Sequence, residues 1–321
     1  MGSLTAPTST TDVLLISPPG RCSAKYLPFA LLFLSSFLES KGVRTQIVDL
    51  KHDSDSPLLK VRRRLQPGWP FSECADEIVR QVVKAKPILV GLPCYTAEYN
   101  EVMTLAKKIK SHCEVSIVVG GVHPTLKAED FLFTGSPVDF AVLGDGEGPL
   151  LNLVSYLRTG NYELLRNRGL AYWGRQNASV VSTGSNVELD LDTFPMPDYK
   201  KINMRFYVRP HVESVRWLPL ASVQIFTGRG CPYDCSFCAV GFLRSLNKQA
   251  SKMRYRSVDQ VIDELEFLKR EYGISGFYVL DDCFMISKER TEEFCRKLIA
   301  RNLNLTWGAE TRVNLIPMHE A

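Results

Sequence analysis

The stretch Gly228-Arg229-Gly230-Cys231-Pro232-Tyr233-Asp234-Cys235-Ser236-Phe237-Cys238 governs how the rest of the chain is read. Three cysteines are spaced C-x3-C-x2-C on a loop predicted to follow an apolar strand, Ser222–Thr227. A [4Fe–4S] cubane held by four cysteines is coordinatively closed, whereas three cysteines leave one iron open. An open position is what a metal centre needs to bind and activate a ligand. Glycines on either side of Arg229 let the backbone wrap closely around such a group. A zinc site is the competing metal reading. It would want a fourth donor at short spacing, and the nearest histidines are His211, upstream, and His319 near the end of the chain. Three core or redox thiols are the remaining alternative.

Downstream of the loop, a helix is predicted at Val258–Tyr272, a strand at Gly276–Leu280, a helix at Lys288–Asn302 and a strand at Leu305–Thr311. Upstream, the first 160 residues alternate in the same way. Strands are predicted at Val13–Ser17, Arg44–Asp49, Ile88–Leu92, Val115–Val119 and Val138–Leu143. Helices are predicted at Pro28–Lys41 (stopped by Gly42), Ser72–Ala85, Ala97–Ser111 and Glu147–Arg158, with a weaker one near Leu126–Phe133. Five strands with crossover helices imply an α/β fold with a doubly wound parallel sheet. Between 160 and 220 the rhythm breaks, and Asp190-Leu191-Asp192 followed by Pro195-Met196-Pro197 reads as an extended connector. The expected organisation is a disordered leader (1–11), a first α/β domain (12–160), a connector (161–217) and the cysteine-bearing domain (218–321).

Composition narrows the function classes. With 321 residues and 45% apolar content, the chain has material for about two domains with real cores. Net charge is only +4, from 39 basic and 35 acidic residues, which argues against a nucleic-acid partner; Arg62-Arg63-Arg64 reads as a solvated helix face. The longest apolar stretch, Phe29–Leu38, is interrupted by Ser35 and Ser36 and falls short of a membrane span. The Ser/Thr-rich start lacks a signal-peptide pattern, so a cytoplasmic protein with no membrane partner is expected. Nine cysteines, an odd number, fit a disulfide framework poorly. Cys22, Cys74, Cys94, Cys113, Cys283 and Cys295 read most simply as buried thiols.

The cysteine loop resembles the signature of the radical S-adenosylmethionine (SAM) superfamily, with Phe237 at the aromatic position before the third cysteine. The resemblance implies that Cys231, Cys235 and Cys238 hold a [4Fe–4S] cluster. SAM would chelate the open iron through its amino and carboxylate groups, and one electron would cleave it to a 5′-deoxyadenosyl radical that abstracts hydrogen from an unreactive C–H bond. It also implies a partial barrel of six βα units, of which this chain holds about half. By the same resemblance Phe237 sits beside the adenosyl group, and Asp281-Asp282-Cys283-Phe284 touches the methionine part of SAM. Asp281 and Asp282 taken singly read equally well as a solvated acidic turn.

The loops predicted at the carboxyl ends of the first sheet are Pro18-Pro19, Pro93-Cys94-Tyr95-Thr96, Gly120-Gly121-Val122-His123-Pro124 and Gly144-Asp145-Gly146-Glu147. Glycines there permit close backbone approach to a flat or phosphate-bearing ligand. Their order and placement resemble the cobalamin-binding domain of B12-dependent radical SAM enzymes, a likeness that covers nearly all of 12–321 and includes the connector's Pro195-Met196-Pro197-Asp198. It implies cobalamin contacts at Pro18, Pro19, Thr96, Gly120, Gly121, His123, Gly144 and Glu147. One departure stands out: no D-x-H-x-x-G motif occurs, and Asp49 and His52 have the wrong spacing. The corrinoid would then carry no histidine on cobalt, with His123 either a wall residue or a loop histidine bonded to backbone. The implied reaction is methylation of an unactivated carbon on a small-molecule substrate, fed by a low-potential electron donor of flavodoxin or ferredoxin type. Cyclisation or rearrangement without methyl transfer, and a non-catalytic corrinoid- or cluster-binding role, are the alternatives.

Overall fold

The computed structural model describes residues 11–17, 26–50, 71–174, 176–212, 215 and 218–316. Pro18, Pro19, Cys22, His52 and Arg62-Arg63-Arg64 lie outside them, as do residues 1–10 of the expected leader. The described residues divide into two compact units, one drawn from 1–21 and 34–186, the other from 22–33 and 187–321.

The first unit is built on β1 (Val13–Ser17), α1 (Phe29–Ser40, shared between the units), β2 (Thr45–Asp49), α2 (Phe71–Ala85), β3 (Leu89–Pro93), α3 (Tyr99–Lys110), β4 (Ser116–Gly120), α4 (Val122–Leu126), β5 (Phe140–Val142) and α5 (Glu147–Thr159). Strands β2-β1-β3-β4-β5 are parallel. Their near-continuous apolar runs, buried throughout in β1, are what a sheet covered on both faces requires. Leu14 and Ile16, Val90 and Leu92, and Ile117 and Val119 alternate onto one face, in a single core with Ile78 of α2 and Leu105 of α3. Gly91 is needed because an added Cβ would stand 2.8 Å from Leu15 Cδ2.

Two expectations need correction here. The stretch taken as a connector contributes β6 (Leu170–Gly174) and β7 (Ser179–Ser182), which extend the sheet antiparallel from β5 to make seven strands. The helix expected near Leu126–Phe133 is instead α4 followed by a single 3-10 turn at Ala128–Asp130. Lys127, with ψ 66°, interrupts the two.

The second unit contains α6 (Met204–Tyr207), β8 (Ser222–Ile225), β9 (Gly228–Arg229), α7 (Ala239–Leu246), β10 (Arg254–Tyr255), α8 (Val258–Tyr272), β11 (Gly276–Val279), α9 (Lys288–Ala300) and β12 (Thr306–Ala309). Strands β8, β11 and β12 form a parallel sheet in the order β12-β11-β8. Helix α8 is capped at its start by the Ser257 hydroxyl on Gln260 N–H and at its end by Gly273 in the left-handed region. Its buried face (Val261, Ile262, Leu265, Leu268) and an aromatic cluster of Phe277, Phe284, Phe294 and Trp307 make up much of the core. Tyr199 and Tyr207, also from the supposed connector, are almost fully buried here. Among the described residues no helix is long and apolar enough to cross a membrane.

Candidate cofactor sites

The cysteine loop leaves β8 through a turn that is fixed from three directions. Asp281, just beyond β11 and only 2% exposed, accepts hydrogen bonds from Thr227 N–H (2.7 Å) and from the Thr227 hydroxyl (2.5 Å). The Thr227 carbonyl accepts from Arg256 N–H at 3.0 Å and from Arg290 Nη2 at 3.2 Å. The Phe226 carbonyl accepts from Arg256 Nη1 at 2.9 Å. Arg256 pairs with Glu264 at 2.5 Å, and Glu264 also accepts from the Tyr199 hydroxyl. Thr227, Asp281, Arg256, Glu264 and Tyr199 are withdrawn from water, so their bonds replace hydration that would otherwise be lost. Burial pushes the Asp281 carboxyl upward against the opposing pull of Thr227 and Arg290.

Beyond the turn, β9 pairs with β10, and Gly228 is needed where a Cβ would meet the Tyr255 ring at 2.8 Å. Cys231, Cys235 and Cys238 are half-exposed free thiols, with Cys238 N–H donating to the Cys235 carbonyl at 3.0 Å. Burial raises the Cys231 thiol, with Cys283, Asp282 and Cys235 adding to the effect. Arg244 of α7 holds the loop by donating to the Pro232 carbonyl (2.9 Å) and pairing with Asp234 (3.0 Å). Arg312, after β12, lies over the Tyr233 ring at 4.1 Å and donates to Cys235 Sγ at 3.5 Å.

Three thiols on one braced loop fit a cluster that keeps one iron open. The two expected SAM carboxylates are separated in role. Asp281 is committed to Thr227, while Asp282 is the solvent-exposed one of the pair. Phe237 is 91% exposed, and Phe242 and Leu246 of α7 are exposed as well. Thr227, Arg256, Arg290, Glu264, Tyr199 and Arg312 were not singled out by the sequence reading.

In the first unit the strand order places the topological switch between β1 and β3, where ligands of open parallel sheets bind. Cys94 N–H donates to the Gly120 carbonyl (2.8 Å) and His123 N–H to the Cys94 carbonyl (3.4 Å), joining the loops after β3 and β4. Gly121 has φ 102° and stands where a Cβ would meet the Cys94 carbonyl at 3.2 Å. Thr125 Oγ1 donates to the Gly121 carbonyl (2.7 Å) and accepts from Gly144 N–H (3.0 Å), which ties in the loop after β5. Gly144 has φ 83°, and a Cβ there would stand 2.1 Å from the Asn186 carbonyl. So the structure brings Gly120, Gly121, His123 and Gly144 into one bonded rim, with Glu147 buried at the start of α5 and Thr96 exposed beside Tyr95. Burial, reinforced by Glu98 and Glu101, pushes the Cys94 thiol up to about 12.

His123 is not a backbone-bonded loop residue through its ring. Nε2 faces Asp130 Oδ2 at 2.9 Å, and the ring packs edge-on against Phe131. Its Nδ1 is buried without a hydrogen-bond partner. An orphaned buried nitrogen beside a glycine rim suits a site completed by a polar ligand.

A model of the B12 binding domain matches residues 22–154. An uncharacterised methyltransferase of Pyrococcus horikoshii is 29% identical over 310 residues, which are 94% of this chain and 60% of that protein. The anaerobic magnesium-protoporphyrin IX monomethyl ester cyclase of Rubrivivax gelatinosus is 30% identical over 245 residues, 74% of this chain and 41% of the cyclase. The solved structure of the radical SAM methyltransferase TsrM from Kitasatospora setae superposes with a TM-score of 0.67 at 18% identity, covering 91% of this chain and 52% of that one, a likeness of fold. The chain thus spans about half the length of the curated relatives it matches.

Proposed function

We propose that this chain, which belongs to the B12-binding-domain-containing radical SAM proteins, provides the cofactor-holding parts of a cytoplasmic cobalamin-dependent radical SAM methyltransferase acting on a small molecule. The observation that carries the reading is the three-thiol loop launched from a turn that Asp281 and Thr227 hold rigid. When bound, the cluster supplies the electron that cleaves SAM, and cobalamin supplies the methyl group. The chain's own part is orientation and exclusion of water. Cys231, Cys235 and Cys238 hold the cluster, Asp281 fixes their loop through Thr227, and Phe237 and Asp282 face the SAM. Thr96, Gly120, Gly121, His123, Gly144 and Glu147 line the corrinoid site. The domain limits follow this division: 12–160 for the corrinoid, extended by the β6–β7 hairpin, and 218–321 for the cluster, with 161–217 between them in sequence. Electrons come from a flavodoxin or ferredoxin.

Support for methyl transfer comes from relatives named as methyltransferases, among them the Pyrococcus protein. A second reading, cyclisation, is favoured by the match to the Rubrivivax cyclase. Anaerobic reconstitution, with iron and sulfide quantified and EPR recorded with and without SAM, tests the shared part of both. A reduced cubane whose spectrum shifts with SAM is expected. Soluble protein that takes up no cluster would overturn the reading.

A further inference from the structure

Arg312 occupies an unusual position for a surface arginine. Its Nε donates to Asn314 Oδ1 at 3.2 Å, its guanidinium carbon lies 4.1 Å from the centre of the Tyr233 ring, and Nη1 reaches Cys235 Sγ at 3.5 Å. Tyr233 stands between the first two cysteines of the loop, so the stacked ring and the sulfur present one continuous face to the guanidinium. A second arginine that contacts the loop, Arg244 of α7, is paired with Asp234. Arg312 has no carboxylate partner among the described residues, and its charge is therefore uncompensated beside the sulfur.

An N–H···S hydrogen bond and a nearby positive charge both favour the reduced, more negative form of an iron–sulfur cluster. We infer that Arg312 is a positioning residue that raises the reduction potential of the cluster held by Cys231, Cys235 and Cys238. The inference rests on the cluster reading above. Its physical content is specific: the one-electron reduction that precedes SAM cleavage would be made easier by a group outside the cysteine motif, held in register by the loop's own tyrosine.

The test is an EPR-monitored redox titration of the reconstituted chain. Arg312→Met should move the midpoint to a more negative value with iron content unchanged. Arg312→Lys, which keeps the charge but not the planar stacking, should fall between Met and the unmodified chain. Tyr233→Leu, which leaves the arginine without its platform, should shift the midpoint in the same direction by a smaller amount. Arg205→Met removes an exposed charge of α6 and should leave the midpoint where it was. An unmoved midpoint in Arg312→Met, or an equal shift in Arg205→Met, would overturn the inference while leaving the cluster in place. Absence of any cluster in the unmodified chain would remove the cluster reading, and this inference with it.

Discussion

The Tyr199 hydroxyl donates to Glu264 across a contact in which both side chains are about 1% exposed, and it does so over 65 residues of sequence. Glu264 passes the connection on to Arg256, and Arg256 holds the carbonyl of Phe226 where the chain leaves β8. A tyrosine that follows Pro195-Met196-Pro197-Asp198 is thereby tied to the root of the cysteine loop.

Removing one member of this buried set should cost more than removing two. Tyr199→Phe loses a hydrogen bond to a charged group, about 1.5–3 kcal/mol. Glu264→Leu strands the Arg256 charge and should cost about 3–5 kcal/mol, part of which Glu264→Leu with Arg256→Met should recover. Urea denaturation of the four proteins measures this; a double variant no more stable than Glu264→Leu would contradict it.

Asp281→Ala leaves the Thr227 N–H and hydroxyl buried without acceptors, at roughly 1–3 kcal/mol for each group. Iron incorporation should fall along with stability. The Asp281 carboxyl is raised by burial, so the folded state binds its proton more tightly than the unfolded state does. That group therefore adds stability as pH falls from above its folded value toward the ordinary aspartate value of about 3.9. Asp281→Asn should abolish this component, which unfolding curves across that range would detect as a flatter pH profile.

Gly144→Ala should be more damaging than Gly42→Ala, although both positions have positive φ. Each pays about 1–2 kcal/mol for the left-handed conformation. Only Gly144 also drives a methyl group into the Asn186 carbonyl, since nothing lies within 4 Å of a Cβ at Gly42. Thermal melts should rank them in that order, and cobalamin retention should drop in Gly144→Ala alone.

The cysteines should sort by chemistry in cluster-free protein. Cys94, pushed up to about 12, and the buried Cys74 and Cys283 should resist iodoacetamide at pH 8 until the chain is unfolded. Cys235 and Cys238 should label in the folded protein, and Cys231 more slowly than its exposure suggests because burial raises its thiol. Mass spectrometry of peptides reads the pattern directly; labelling of Cys94 in the native state would contradict it.

Much of this was legible beforehand because local pattern was enough. The run Val13-Leu14-Leu15-Ile16-Ser17 is a buried strand on composition alone, and the cysteine spacing announces its loop. The β6–β7 hairpin was missed because its turn residues Gln176-Asn177-Ala178 lack the usual Asn-Gly type of signal. The Tyr199–Glu264–Arg256 set was invisible because each residue is unremarkable until the fold joins them. Asp281 could have been separated from Asp282 by alternation: it shares the parity of Phe277 and Val279, whose side chains are buried. Arg312 gave no signal, since an arginine three residues beyond a strand end usually faces water.

The chain passes from the first unit to the second and back before it reaches residue 40, then returns at 187. Within the second unit, Leu27 N–H donates to Gln224 on β8, the Phe29 ring meets Phe226 edge-on at 5.5 Å, and Phe33 lies beneath Arg256. No single cleavage can therefore release the cluster-bearing half intact. A recombination or truncation made at the obvious boundary near 187 would strip out Leu27, Phe29 and Phe33, which meet Gln224, Phe226 and Arg256. Inheritance of the cysteine loop as a transplantable module thus requires that the distant N-terminal strap travel with it.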